Sequence, residues 1–543
     1  MTDNVKSVRH INTDGTFSEW LNYEPGGSNV NSTIYVEGSL TYNKTFNEVH
    51  DLSGLLVYYN RQQLYSNKAD LLLSLPYRNQ GISGRFTYGF DSRYLVEFNF
   101  GYNGSERFYK TERFGFFPAI GLGYIVSNEK FWENLSSLIP KFKLKGTYGL
   151  VGNDAIGDEN DRFFYLSKMN MDDGGRGYAF GYVNNAAYSR NGFSVTRYDN
   201  KDISWEKSYK TNLGFEMNLF GMEIEADYFT EHRTNILMER ASVPSSMGLS
   251  SPLKANLGEA KANGVDASID YNKNFASGYW LQGRVNFTYA HSEFLIYEEP
   301  AYQEAYRTHV GQALSQQYGL IAERLFVDEY EVTNSPFQTF GEYGAGDIKY
   351  RDVNGDGTIT NADAVPIGYP TIPEIIYGFG LSGGNKALDL SFFFQGSARS
   401  SFWIDAKGTS PFRHVNANDD SNFPFIRDVP ILKEYADSHW SESNRDLYAV
   451  WPRLSENLIN NNIQTSTWFM RNGAFLRLKT VELGYTLPEK LLYKVRLKNM
   501  RIYASGNNLL LFSGFKMWDI EMGGNGLGYP NQRVYNVGLQ IGF

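Results

Sequence analysis

The 543-residue chain has no cysteine, which excludes a disulfide scaffold, a thiolate metal site and a cysteine nucleophile. It also lacks any apolar run near the roughly 20 residues that a spanning helix needs, and its mean hydropathy is −0.43. A helical membrane protein is thereby excluded. Positive charge is in deficit: 51 Lys and Arg stand against 60 Asp and Glu, a net charge of −9. No basic face for nucleic-acid phosphates is expected. Met1–His10 has neither the apolar core nor the small-residue cleavage site of a secretory signal. What the chain does have is 39 Tyr, 38 Phe and 9 Trp, together with 53 Gly. That much apolar surface does not suit a disordered chain. A hydrophilic average combined with many aromatics is what alternation of outward apolar and inward polar residues produces.

The alternation is visible in the residues. In Arg93–Asn103, Tyr94, Val96, Phe98, Phe100 and Tyr102 share one face, and Glu97, Asn99, Gly101 and Asn103 the other. Met222, Ile224, Ala226 and Tyr228 oppose Glu223, Glu225 and Asp227; Val265, Ala267, Ile269 and Tyr271 oppose Asp266, Ser268 and Asp270. Leu388, Leu390, Phe392 and Phe394 follow the rule, with Phe393 an exception. The chain closes on Tyr535, Val537, Leu539, Ile541 and Phe543. Period two marks strands with one apolar and one polar face. Roughly 15–17 such segments of about 10 residues are expected, the length of a tilted strand that crosses a bilayer. Short turns at Phe90–Arg93, Phe220–Gly221 and Asn274–Gly278 join some pairs, whereas long polar stretches at 153–200, 295–314, 328–370 and 399–464 separate others. This asymmetry points to an all-β fold, a transmembrane antiparallel β-barrel with long extracellular loops. A soluble sandwich or propeller also alternates, but its core favours Val, Ile and Leu over the Tyr, Phe and Trp found here at segment ends.

Several stretches resemble the SusC/RagA family of TonB-dependent outer-membrane transporters. They are Phe114–Tyr124 with Phe131, Lys143–Asn153, Ile203–Lys207 followed by Asn212–Glu216, Gly346–Gly357, and Phe475–Pro488. In this order they run through most of the chain. The resemblance implies an importer of oligosaccharides or peptides, working with a SusD-like surface lipoprotein and drawing energy from the TonB complex. It implies no enzyme. Large transporter barrels have about 22 strands around a plugged lumen. The chain is therefore expected to be a C-terminal barrel portion, with residues 1–30 a ragged lead-in and 31–543 the barrel. Plug, TonB box and roughly five to seven strands would lie outside it. The rival reading is a TonB-independent structural or adhesin-like barrel acting through its surface loops.

The sharpest local motif is Asp352–Asp363. Asp352, Asn354, Asp356, the Thr358 carbonyl, Thr360 and Asp363 occupy positions 1, 3, 5, 7, 9 and 12 of a calcium loop, with Gly357 at position 6. An isolated Ca²⁺ loop and an Asx-turn-rich loop folded by its own side chains are both open. Inward Glu97, Glu223, Glu225, Asp227, Asp266 and Asp270 recur at period two, as in a hydrated wall rather than a catalytic pair. No metal-ligand histidine spacing, phosphate loop or nucleophile elbow is present. The 399–464 stretch carries Phe402, Trp403, Phe412, Phe423, Phe425, Tyr435, Trp440, Tyr448 and Trp451. Of these, Trp403, Phe412, Trp440 and Trp451 are candidates for ligand or partner contact, against self-packing of the loop. Terminal Phe543 resembles the signal read by barrel assembly machinery.

Overall fold

The computed structural model describes residues 29–66, 71–157, 161–180, 188–412, 414–415, 427–428, 430–493 and 497–543. The lead-in 1–28, Phe423 and Phe425 lie outside the described residues. Fifteen strands form one antiparallel sheet with each strand beside its successor. They are β1 Asn31–Phe46, β2 His50–Tyr65, β3 Tyr77–Phe90, β4 Tyr94–Ser105 and β5 Phe114–Ile125. Next come β6 Lys141–Asn153, β7 Glu206–Leu219, β8 Met222–Glu239, β9 Lys254–Asn274 and β10 Trp280–Ile296. The last five are β11 Ile375–Gly384, β12 Leu388–Ala398, β13 Phe475–Thr486, β14 Asn499–Ser513 and β15 Val534–Gly542. Among the described residues β1 and β15 are the two edges, and no pairing closes the sheet.

Period two places side chains as the sequence implies. Tyr94, Val96, Phe98 and Tyr102 of β4 are exposed on the outward face, as are Val265, Leu388, Leu390, Val537 and Leu539 elsewhere. The inward wall is polar and zipped across strands. Arg85 pairs with Glu97 at 2.7 Å, Lys143 with Glu216 at 3.0 Å, Lys145 with Asp227 at 3.0 Å and Arg284 with Asp270 at 2.6 Å. Cross-strand opposite charges of this kind favour the register. The exception, Phe393, is an apolar residue on the inward face: its ring lies over Gly378 and Gly380 of β11, where a Cβ would meet it at 2.8 and 2.7 Å. β12 itself alternates unbroken, and the register shift beside Phe393 leaves the extra residue, Lys479, on β13.

Connections segregate by side. Short turns at 47–49, 91–93, 220–221, 275–279 and 385–387 lie at one end, together with the longer connections 126–140 and 487–498. The opposite, loop side carries 154–205, 240–253, 297–374, 399–474 and 514–533. Two of the expected polar stretches, 295–314 and 328–370, belong to a single connection. The intervening Gln317–Gly319 and Ala322–Leu325 pair with Val365–Ile367 and Ile348–Tyr350 instead of joining the main sheet. Within 154–205, Lys168–Phe180 and Tyr188–Arg197 form a separate hairpin.

Candidate functional site

Three of the long loops fold into one lobe with a shared core. Leu320, Leu325, Ile348, Tyr350 and Ile359 come from 297–374; Ile404, Ala406, Tyr435, Trp440, Ala449, Trp451 and Phe469 from 399–474; Phe515 and Ile520 from 514–533. Trp451 stacks on Tyr435 with centroids 4.4 Å apart, and Trp440 lies against Gly346, where a Cβ would meet its ring at 2.3 Å. Of the four aromatic candidates, Trp440 and Trp451 are thus taken up in the lobe core. Trp403 is half-buried and donates through Nε1 to the Ser466 carbonyl at 3.0 Å, whereas Phe412 stays exposed.

Polar groups staple the loops together. Fully buried Asp347 accepts from Arg453 Nε at 2.9 Å, Asn462 Nδ2 at 2.8 Å and the Gly344 amide at 2.8 Å. Burial pushes its carboxyl upward, against the pull of Arg453. Buried Gln338 donates to the Ile348 carbonyl at 3.0 Å and to Asn461 Oδ1 at 2.8 Å, while its Oε1 accepts from the Tyr350 amide at 2.7 Å. Ile348 N donates to Asn462 Oδ1 at 2.9 Å. Nearby, burial opposes ionisation of Glu331. Hydrogen bonds from Arg324, Lys349 and the Val327 amide outweigh it and hold the carboxyl at about 2. Sequence reading did not single out Gln338, Asn461, Asn462 or Arg453; only Asp347 lay inside a recognisable motif.

A second cluster underlies the 154–205 connection, with Phe108, Phe117, Ile156, Phe164, Ile203 and Trp205 buried. Three of the resembling motifs meet here. Phe117 packs 5.2 Å from Trp205, and its ring covers Gly152, where a Cβ would lie 2.0 Å away. A fourth motif reaches the loops through Arg477, buried on β13 and paired with Asp519 at 2.6 Å and Glu521 at 2.7 Å. Terminal Phe543 follows β15 on the turn side and is exposed.

The acidic motif is held by its own amides. Asp352 accepts from Gly355 N at 2.7 Å and Gly357 N at 2.8 Å, and Asp356 from Thr358 N at 2.7 Å. Asn354 Oδ1 accepts from Asp356 N at 3.0 Å. Buried Asp363 accepts from Val353 N at 2.8 Å and Thr360 N at 2.9 Å, and Thr360 Oγ1 from Ala362 N at 3.0 Å. These are Asx turns and a capping box. Among the described residues, no three acidic, histidine or cysteine side chains converge closely enough to hold a metal ion.

No family model matches the chain. Among curated proteins it is 25% identical over 570 residues to TonB-dependent receptor P26 of Formosa agariphila, covering 99% of this chain and 54% of that protein. It is 24% identical over 485 residues to TonB-dependent receptor SusC of Bacteroides thetaiotaomicron, covering 85% of this chain and 43% of SusC. The chain spans about half the length of the curated relatives it matches. Among solved structures, a chain of the RagAB peptide transporter superposes with a TM-score of 0.68 at 21% identity, covering 94% of this chain and 55% of that one. The fold, with its lipid-type outward face and one-sided loops, is that of an outer-membrane β-barrel. Within that class the chain is SusC/RagA-like, similar in sequence and fold to TonB-dependent transporters.

Proposed function

We propose that the chain forms most of the barrel of a SusC-like importer that carries oligosaccharides or peptides across the outer membrane. The observation that carries this reading is a sequence similarity to TonB-dependent receptors that extends over 99% of the chain. One-sided loops support an extracellular lobe and periplasmic turns. A SusD-like lipoprotein would cover the lobe, and TonB would supply energy through a plug. Phe543 would serve the assembly machinery. Passage of substrate needs no covalent chemistry. Bacterial barrels of this kind close with an even number of strands, so the fifteen seen here would join an odd number of others. The loop Asp352–Asp363 is proposed to take calcium. Residue types and spacing support this, and the Asp352 oxygens and Asp356 Oδ1, which accept one amide each, keep a second lone pair, whereas Asp363 Oδ1 already accepts from the Val353 and Asn354 amides. The side chains must draw together to do so, which favours weak binding.

The test is uptake by cells that depend on this transporter. Loss of growth on the oligosaccharide or peptide when TonB is deleted supports import. Growth that persists without TonB, with loop-dependent adhesion intact, supports the structural-barrel reading.

A further inference from the structure

One segment on the turn side is folded back onto the outward face of the sheet. The connection 126–140 runs through two 3-10 turns, Val126–Asn128 and Lys130–Leu135. Its Glu129 accepts from Tyr94 Oη at 2.7 Å and from Arg93 at 2.9 Å. The Trp132 ring stacks on Phe142 with centroids 5.4 Å apart and planes 12° apart. Tyr94 and Phe142 stand at outward positions of β4 and β6, in step with exposed Val96 and Leu144. These contacts put the segment over the outward face and not beneath the lumen.

Val126 is buried and Trp132 and Ile139 are partly covered, but three of its apolar side chains have little protein to cover them. Phe131 is 65% exposed, Leu135 43% and Leu138 39%, at spacings of four and three residues. Lys130, Glu133, Asn134, Ser136 and Ser137 supply the polar remainder. Trp132 Nε1 donates to the Ile139 carbonyl at 3.0 Å, so the loop meets part of its own hydrogen-bond demand. The neighbouring turn adds Phe220, 68% exposed at φ +53°, a left-handed conformation that Gly or Asn adopts with less strain. Asn47, Glu48, Asp91 and Ser92 hold the same conformation in the other turns of this end, so it is the exposed ring of Phe220, not its backbone, that adds apolar surface here.

We infer that residues 126–140 and Phe220 form an interfacial foot, whose apolar side chains enter the boundary between headgroups and acyl chains of the phospholipid leaflet on the turn side. Lipid is the occupant because the patch continues the outward apolar band of Leu122, Leu144 and Leu213 without a break in sidedness. Aromatic, aliphatic and small polar residues together suit that depth. The inference rests on the barrel reading above.

A chain without cysteine allows single-site labelling. An environment-sensitive fluorophore is attached at Phe131→Cys, Phe98→Cys or Ser277→Cys in the assembled transporter, reconstituted in phosphatidylcholine vesicles. Quenching is compared for lipids spin-labelled near the headgroup or deep in the chain. The Phe131 label should be blue-shifted and lose intensity mainly to the shallow quencher, the Phe98 label to the deep one, and the Ser277 label to neither. A Phe131 label that behaves like Ser277 while Phe98 is quenched overturns the foot alone. A Phe131 label shielded from water yet untouched by lipid quenchers also overturns it, in favour of a protein partner. An unquenched Phe98 label overturns the barrel reading instead.

Discussion

Adjacent residues on β4 face opposite media. Phe98 is 40% exposed on the outward face, whereas Glu97 pairs with Arg85 on the inward one. Phe98→Arg should hinder assembly, because a cation at mid-bilayer on a barrel costs about 2–4 kcal/mol. Asn99→Arg, one position along, should be tolerated in the hydrated lumen. Heat-modifiable migration of the two variants measures the difference; equal behaviour would mean the face assignment is wrong. In the acidic loop, Asp352 and Asp356 can offer oxygens to calcium only by reorganising around amides they already hold. Titration calorimetry on the complete transporter should show binding at about 10⁻⁴–10⁻³ M, abolished by the double change Asp352→Asn and Asp356→Asn. No heat at millimolar calcium leaves the loop as a set of Asx turns.

At the scale of elements, strands were legible in the sequence and loops were not. Period two survives wherever one face meets lipid and the other water, so β4, β8, β9 and β15 could be read directly from residues such as Tyr94 to Asn103. The burial of Trp440 and Trp451 could not, since it depends on partners far away in the chain: Gln338 bonds Asn461 across 123 positions. Nor did local pattern reveal that Gln317–Leu325 pairs within its own connection. Three of the resembling motifs meet in one cluster through Phe117, Gly152 and Trp205, a contact that their order along the chain did not announce. Sidedness makes a direct prediction. Tyr448→Cys, in the exposed part of the lobe, should label with an impermeant thiol reagent on intact cells, and Ser277→Cys should not. The reverse pattern would invert the barrel. The lobe should also respond to acid. Glu331 titrates near 2 in the folded lobe against an ordinary value of 4.5, so its pairs contribute fully above about pH 4.5. That contribution is lost as pH falls from 4.5 towards 2. Protease nicking of the loops should rise across this window, and Glu331→Gln should nick already at neutral pH. If the variant resists as well as the parent, the pairs do not hold the lobe.

Among the described residues the sheet has two edge strands that run in the same direction, because fifteen strands are an odd number. Joined to each other they would pair parallel, and left open they would present unpaired amides to lipid, at several kcal/mol each. Expressed alone with an export signal, residues 29–543 should therefore fail to gain protease resistance in the membrane. Co-expression with a segment whose strands complete an even count should restore it. Resistance of the lone chain would show that some other closure exists.

The shared core of the lobe carries a consequence for how such a protein can diversify. Ile348 of one connection, Trp451 of the next and Phe515 of the last pack in a single interior, with Asp347 and Arg453 bridging two of them. A lineage cannot trade one of these loops for a foreign sequence without leaving holes and unpaired charge in the others. Inheritance of new surface chemistry should therefore proceed by point changes at exposed positions such as Tyr330 and Tyr448, or by exchange of all three connections together.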